Sequence, residues 1–207
     1  MAVSKTKAKL VDVARQLFAK MGVENTTMND IALASKKGRR TLYTYFKSKE
    51  DIYIAVVESE LDMLSDMMKR VAEKNISPDE KMIEMIYTRL DAVKEVVFRN
   101  GTLRANFFRD IWRVEKVRKR FDAKEILLFK DVLREGVEKG VFRIDDIDMT
   151  AELVHYCVKG IEVPYIRGHI GAKLDDETRD KYVVNLVFGA LHRTCLLYTS
   201  PSPRDTR

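Results

Sequence analysis

The stretch TTMNDIALASKKGRRTLYTYFKSKEDI, residues 26–52, decides the fold of this chain. Thr27 is expected to cap a short helix, with Asp30 three residues later completing a capping box. Residues 35–38 are small or basic and end in Gly38, which is expected to permit a tight turn before a second short helix. Two short helices joined in this way indicate a helix-turn-helix.

The second short helix is strongly basic. Six Lys or Arg and no acid lie between residues 31 and 49. Phosphate contacts need cations, and base reading needs a few side chains on one exposed face, so the pattern favours double-stranded DNA over the alternative of an ordinary solvated helix face. Arginines can fork onto guanine, a threonine methyl can touch thymine, and tyrosine or lysine can reach phosphates. The predicted DNA contacts are Lys37, Arg39, Arg40, Thr41, Tyr43, Tyr45 and Lys49.

The charge of the whole chain is concentrated at the same end. The protein has 207 residues and a formal net charge of +6. Residues 1–52 hold eleven Lys or Arg against five acids, whereas the remaining residues hold 27 of each. We call residues 1–52 the head. A basic head joined to a neutral remainder of the chain indicates a polyanion partner. No apolar run approaches the roughly 18 residues of a membrane span and no secretory signal is visible, so a cytoplasmic protein without membrane contact is expected.

Apolar residues recur at helical spacing along nearly the whole chain, which predicts an all-α fold. The first helix is expected over residues 4–21, and a long one after residue 48 with Ile52, Val56, Ser59, Met63 and Met67 as its buried stripe. Asp148 is expected to cap a helix that ends near Ile161. The other helices are expected at 77–99, 103–113, 117–139 and 175–193, and Gly140 is expected to close the third of them.

Several motifs in this order and spacing resemble one known DNA-binding domain. They are Leu17-Phe18, Gly22, Thr26-Thr27, Asp30-Ile31-Ala32, Thr41-Leu42-Tyr43 and residues 46–51. They resemble the TetR/AcrR family of bacterial repressors, and residues 136–143 resemble the end of that family's seventh helix. The resemblance implies a nine-helix homodimer in which helices eight and nine pair with the partner and the other helices surround a small-molecule pocket.

The resemblance also implies roles for individual residues. Thr27 would hold a phosphate, while Thr41, Tyr43 and Lys49 would approach DNA. Arg40 departs from the family, which often has glycine there, and Gly38 stands where a serine cap is common. The pair Arg39-Arg40 is therefore a separate hypothesis for direct base reading.

The expected function is a ligand-responsive transcriptional repressor that binds a pseudo-palindromic operator. Residues 1–48 would form the DNA-binding domain and residues 49–194 the effector-binding and dimerisation domain. Two apolar stripes with close-packing glycines support the dimer. The predicted interface residues are Leu153, Cys157, Gly160, Ile161, Val183, Leu186, Val187 and Ala190.

The effector is expected to be small and hydrophobic or aromatic. Methionines and aromatic residues on the helices that line the family's pocket make adaptable apolar sites, although the same residues also make ordinary cores. The candidates are Met63, Met67, Met85, Tyr87, Phe107, Phe108, Trp112 and Tyr156.

Two other functions stay open. Glu152 and His155 have the Glu-x-x-His spacing of carboxylate-bridged metal bundles, but such sites need a second pair and further carboxylates. No phosphate loop, zinc motif or nucleophile turn is present, so no catalytic residue, cofactor or metal is expected. A related protein could also activate transcription or act through protein partners.

The end of the chain differs from the rest. Residues 195–207 lose the helical period and contain two of the four prolines. Residues 195–205 resemble one translated reading frame of a transposase sequencing adapter. This tail is expected to be non-native and disordered.

Overall fold

The computed structural model describes residues 5–99 and 111–167, with residues 169–170, 175, 178, 181–182 and 185–186 beyond them. Side chains are described throughout these ranges except at residues 96–99, 111–116, 163 and 166. Every regular element in these parts is a helix, which confirms the all-α prediction. The helices are α1 (Lys5–Met21), α2 (Met28–Ala34), α3 (Arg39–Tyr45), α4 (Lys49–Ala72), α5 (Pro78–Arg99), α6 (Ile111–Glu138) and α7 (Ile147–Ile166).

The count of nine helices is not matched, because seven are found in the described ranges. The helix predicted over residues 103–113 falls mostly outside those ranges. Its predicted boundary with the next helix is wrong, since α6 already begins at Ile111 and runs unbroken to Glu138. Residues 111–117 contain no Gly or Pro, so nothing in the sequence interrupts that helix. Of the last predicted helix, Asp175 accepts a hydrogen bond from Thr178 N, as a helix cap does.

The chain forms two compact units, one of residues 1–70 with 88–125 and one of residues 71–87 with 126–207. In the first unit, α1, α2 and α3 share one core with the beginning of α4. Phe18 of α1 is fully buried and meets Tyr53 of α4 edge to face, with ring centroids 6.4 Å apart. The first turns of α4 therefore complete the core of the head. A domain boundary at residue 48 stays a proposal.

The buried stripe of α4 differs from the predicted one. Ile52 and Val56 are fully buried as expected, but Met63 and Met67 are each 39% exposed. The buried stripe further along is Val57, Glu60, Leu64 and Met68, one residue later at each turn. One residue rotates a helix face by about 100°. The prediction is wrong because Glu60 is charged, and the apolar period assigns a charged residue to the surface.

An ion pair with Arg15 of α1 explains the burial of Glu60. Arg15 Nε lies 2.9 Å from Glu60 Oε1, and the Glu60 side chain is only 8% exposed. The same guanidinium contacts Ser59 Oγ at 3.3 Å and Asp12 Oδ1 at 3.4 Å. A charge can be buried at low cost only when a partner and further hydrogen bonds compensate its lost hydration. This pair therefore fixes the side of α4 that packs on α1.

In the second unit, α6 ends as the sequence predicts, at Gly140. Gly140 has φ +71, Val141 N donates to Gly136 O at 2.8 Å, and Gly140 N donates to Val137 O at 3.1 Å. These two bonds form a Schellman motif. The ring of Phe142 then packs so closely on Gly136 that a β-carbon there would lie 2.0 Å from it. Gly136 is thus required by packing, whereas Gly140 is required by its backbone angle.

Helix α5 is joined to α6 in this unit by a charge pair. Lys81 Nζ lies 2.7 Å from Glu135 Oε2, and the Lys81 side chain is 8% exposed. Hydrogen bonds from Lys139 and then Lys81 hold the pKa of Glu135 below its ordinary value. The carboxylate stays ionised well into the acidic range, so this link persists at neutral pH.

The limits of α7 differ from the predicted ones. Its first turn is capped by Asp146, whose Oδ1 accepts from Met149 N at 2.9 Å, and not by Asp148. Asp148 instead pairs with Lys130 at 3.0 Å. The helix also continues past Ile161 to Ile166, with Pro164 inside it. The cap was misplaced because a capping acid and a first-turn acid look alike in sequence.

In the described ranges, none of the helices combines the length and apolar character needed to cross a lipid bilayer.

We expect Arg15→Met to lower the free energy of unfolding by about 2 to 3 kcal/mol, since it leaves Glu60 buried without its cation. Arg15 is 22% exposed, so the loss should fall below that of a fully buried pair. Urea denaturation measures it. The matched control is Lys139→Met, which breaks an exposed pair with Glu135 and should cost under about 0.5 kcal/mol. Equal losses in the two variants would contradict the role given to Arg15.

Candidate nucleic-acid interface

Helix α2 begins with the predicted capping box. Thr27 Oγ1 accepts from Asp30 N at 3.2 Å, and Asp30 Oδ2 accepts from Thr27 N at 2.8 Å and from the Thr27 hydroxyl at 2.7 Å. These donors hold the pKa of Asp30 below its ordinary value, the hydroxyl of Thr27 contributing most. Asp30 thus remains ionised at neutral pH and fixes the start of α2. The phosphate contact implied for Thr27 stays a proposal, and its side chain is exposed.

The turn between α2 and α3 is closed by a lysine and not by a glycine. Lys36 has φ +55, Lys36 N donates to Leu33 O at 3.0 Å, and Lys37 N donates to Ala32 O at 3.1 Å. This is a Schellman motif with a side chain in its left-handed position. The turn role predicted for Gly38 is wrong, because Gly38 has φ −63 and ψ 147, which any residue adopts. The left-handed step occurs two residues earlier.

Helix α3 shows one face to the core and another to solvent. Leu42 is fully buried and Phe46, which follows the last turn, is 3% exposed. Leu42 therefore anchors the helix in the core of the head. The exposed side chains are Arg39, Arg40, Tyr43, Thr44 and Tyr45, while Lys37 and Thr41 are half-buried.

Lys49 has a structural position that the sequence did not indicate. Its Nζ donates to Val23 O at 2.7 Å and to Glu24 O at 3.1 Å, between the end of α1 and the start of α2. The ammonium thereby satisfies carbonyls beyond the end of a helix, where positive charge is favoured. The partners lie 26 and 25 residues away in sequence, so no local pattern could reveal them. The DNA contact predicted for Lys49 stays a proposal.

The remaining cations of the head lack such partners. In residues 5–52, Asp12 pairs with Arg15, whereas Asp30 and Asp51 accept hydrogen bonds from backbone N–H groups. Arg15 and Lys49 have the partners described above. Within the described ranges no side-chain hydrogen bond or ion pair involves the other nine, which are Lys5, Lys7, Lys9, Lys20, Lys36, Lys37, Arg39, Arg40 and Lys47. Fixed acids beside unpaired cations make a surface suited to phosphates.

The predicted effector residues whose side chains are described differ widely in exposure. Met63 and Met67 are on the exposed side of α4, because that helix is rotated from its predicted orientation, and Tyr156 is 61% exposed. Met85 is fully buried and Tyr87 is half-buried. Phe107, Phe108 and the Trp112 side chain lie outside the described residues. A pocket role for any of these residues stays a proposal.

A small groove does lie between α4 and α6 in the first unit. Lys124 Nζ and Asp62 Oδ1 are 3.1 Å apart at its edge. Beside it, the buried Arg89 pairs with Glu125 at 2.5 Å and lies 5.8 Å from the ring centroid of Phe121. Its charged walls explain why the apolar pattern of the sequence did not indicate it. The lining residues are Glu58, Leu61, Asp62, Val117, Arg120, Phe121 and Lys124.

The predicted dimer residues on α7 lie on its outer side. Leu153 is 57% exposed, Cys157 and Gly160 are exposed, and Ile161 is half-buried. Val154 and Val158 face inward and are nearly fully buried. Sequence reasoning missed Met149, which is 55% exposed and one turn before Leu153. Leu186 is 76% exposed; Val183, Val187 and Ala190 lie outside the described residues.

The two residues of the alternative metal site, Glu152 and His155, differ in their exposure to solvent. Glu152 is exposed, whereas His155 is fully buried. A carboxylate-bridged site needs both side chains directed to one ion. The geometry of α7 therefore gives no support to a site built on this pair.

Residues 10–56 match the family of bacterial regulatory proteins called the tetR family. These residues are a tetR-type DNA-binding domain. The chain is 23% identical over 158 residues to the transcriptional regulator QacR of Staphylococcus aureus, covering 75% of this chain and 83% of that protein. It is 28% identical over 152 residues to the transcriptional repressor KstR2 of Mycolicibacterium smegmatis, covering 70% and 72%.

The fold also matches solved structures. The regulator FadR of Bacillus subtilis, solved in complex with stearoyl-CoA, has a TM-score of 0.66 at 16% identity, covering 89% of this chain and 99% of that one. At this identity the match shows a shared fold alone. The DNA-binding character of the head rests instead on the family match over residues 10–56 and on relatives that are named as transcriptional regulators.

We expect Lys36→Gly to raise the free energy of unfolding of this protein by about 0.5 to 1 kcal/mol. Glycine removes the left-handed strain, and its greater freedom in the unfolded chain offsets part of the gain. The matched control is Lys37→Gly, which removes the same charge from a residue without a positive φ and should lower stability by up to about 1 kcal/mol. Urea denaturation of both variants measures the two changes in the free energy of unfolding. Changes of the same sign in the two variants would contradict the turn geometry.

Proposed function

We propose that this chain is a homodimeric repressor that binds a pseudo-palindromic DNA operator and is released by a small molecule. The observation that carries the proposal is a set of five cations in or next to α3 that have no side-chain hydrogen bond or ion pair in the described ranges: Lys36, Lys37, Arg39, Arg40 and Lys47. A neutralised surface would have no comparable affinity for phosphates. The name of KstR2 as a repressor supports the sign of regulation.

Base reading is proposed for the first turn of α3. Arg39 and Arg40 are exposed there and are long enough to reach guanine edges in a major groove. Tyr43 and Tyr45, 44% and 37% exposed, are proposed phosphate contacts together with Lys37, and Thr41 a thymine contact. The capped start of α2 at Thr27 supplies a further backbone contact in this scheme.

Dimerisation is proposed through the outer side of α7 and the helix after it. Met149 and Leu153 are more than half exposed and lie one turn apart. A two-fold dimer would bury this apolar side and would place two recognition helices on successive turns of DNA.

The proposed effector is a small hydrophobic or aromatic molecule. The neighbour FadR of Bacillus subtilis was solved with stearoyl-CoA, which has a long apolar chain. The chain is further proposed to be a cytoplasmic protein that binds its ligands without catalysis.

DNA binding should depend steeply on salt. With a duplex of about 40 base pairs, which spans two half-sites, the logarithm of affinity should fall against the logarithm of salt with a slope of roughly −5 or steeper, since each phosphate contact adds about −0.9. Fluorescence anisotropy with the region upstream of the protein's own gene measures it. A slope near zero, or no binding at low salt, would contradict the proposal.

Arg40→Ala separates base reading from phosphate binding. We expect the variant to lose about 1 to 3 kcal/mol of DNA-binding free energy, and only with duplexes that carry the preferred base. The base preference at that operator position should therefore become weaker. The comparison is the same anisotropy series over base variants. A uniform loss with unchanged preference would make Arg40 a phosphate contact instead.

Leu153→Lys should convert the dimer to a monomer without unfolding it. Its side chain is 57% exposed in the single chain, so the lysine meets solvent in the monomer and apolar surface in the dimer. The matched control is Leu127→Lys, at an α6 leucine that is 59% exposed. Sedimentation at micromolar concentration should show a dimer for the control only. A monomeric wild-type protein would contradict dimerisation, and a dimeric Leu153→Lys variant would remove this face from the interface.

A further inference from the structure

The first turns of α1 carry positive charge that the helix itself disfavours. Lys5, Lys7 and Lys9 are all exposed, and the first turn contains no acid. Cations at the amino-terminal end oppose the helix dipole, and Lys5 and Lys9 are like charges four residues apart. Of the described helices, α2, α4, α5 and α7 have acids in the first turn.

A contact places this end of α1 beside the end of the recognition helix. Lys7 Nζ lies 5.8 Å from the ring centroid of Phe46, the residue that caps α3. Lys47, the next residue, is exposed and has no side-chain partner in the described part of the head. Positive charge thus continues from Lys47, just after the end of α3, to Lys7 in the first turns of α1.

The direction of the side chains strengthens this continuity. Side chains on a helix point back toward its amino-terminal end, so lysines from different sides of the first turns reach toward the same end. A recognition helix that lies in the major groove has the phosphate backbone at its ends. The end of α3 that Lys7 adjoins is one of these.

We propose that Lys5, Lys7 and Lys9 form a second phosphate-binding surface that contacts DNA flanking the bases read by α3. This inference rests on the proposed DNA-binding function and extends its contact area to α1. The occupant is the sugar-phosphate backbone of duplex DNA, because the surface holds cations without base-reading geometry. It adds affinity and not sequence preference.

Lysine reactivity in the full-length protein tests the surface directly. The protein is reductively methylated with and without a duplex of about 40 base pairs from its own upstream region, long enough to include flanks, and each lysine is quantified by mass spectrometry. Methylation of Lys5, Lys7 and Lys9 should fall together with that of Lys36 and Lys37. The internal control is Lys20, an unpaired lysine in the last turn of the same helix, which should keep its reactivity.

The possible outcomes distinguish failure of this second surface from failure of the proposed DNA binding. Protection of Lys36 and Lys37 with unchanged Lys5, Lys7 and Lys9 would overturn the second surface and leave DNA binding intact. Protection of none of the lysines would overturn both.

A variant provides an independent readout. Replacing Lys5, Lys7 and Lys9 by Gln should make the salt slope shallower by roughly 0.9 for each phosphate that is no longer neutralised, with unchanged base preference. Lys20→Gln, which removes one charge of the same kind, should leave the slope unchanged. The thermal midpoint should stay or rise, because these cations oppose the helix dipole.

A double variant keeps the test independent of the aromatic contact. Lys5→Gln combined with Lys9→Gln preserves the Lys7 contact with Phe46 and should also make the slope shallower. A wild-type slope in both the double and the triple variant would overturn the proposal.

Discussion

The ion pair between Arg15 and Glu60 determines how α4 is rotated, and the DNA-binding head depends on that rotation. With Glu60 turned inward on α1, Tyr53 and Val57 of the same helix face complete the core around Phe18. That core holds Leu42, the buried anchor of α3. An uncompensated charge at either partner would oppose this packing. The exposure of Arg39 and Arg40 is thus linked to a contact between α1 and α4.

The head separates its charges into two groups with different roles. Three of its acids and two of its cations are used inside the fold, in the capping box of Asp30, the ion pair of Arg15 and the carbonyl contacts of Lys49 among others. The other cations are left for a partner. This division explains how the head can be stable and still attract a polyanion, since a surface with internally paired cations would gain little from phosphates.

Local features were readable from the sequence, and contacts between distant residues were not. The capping box of Thr27, the all-α class and the closing glycine Gly140 follow from neighbouring residues, and the structure confirms them. The rotation of α4 and the position of Lys49 depend on partners 25 or more residues away, which periodicity cannot detect. The exposed side of α3 was identified because charge marks it, whereas the charged groove near Phe121 had no apolar pattern to reveal it.

Selection of bound duplexes from a random-sequence pool tests most directly whether this chain reads DNA as a two-fold dimer. We expect enrichment of an inverted repeat whose half-site centres are separated by one helical turn, about 10 to 10.5 base pairs, or a multiple of it. We also expect the enriched sequence to lose its binding at raised salt. Recovery of sequences without symmetry would contradict the dimer, and absence of enrichment would contradict DNA reading itself.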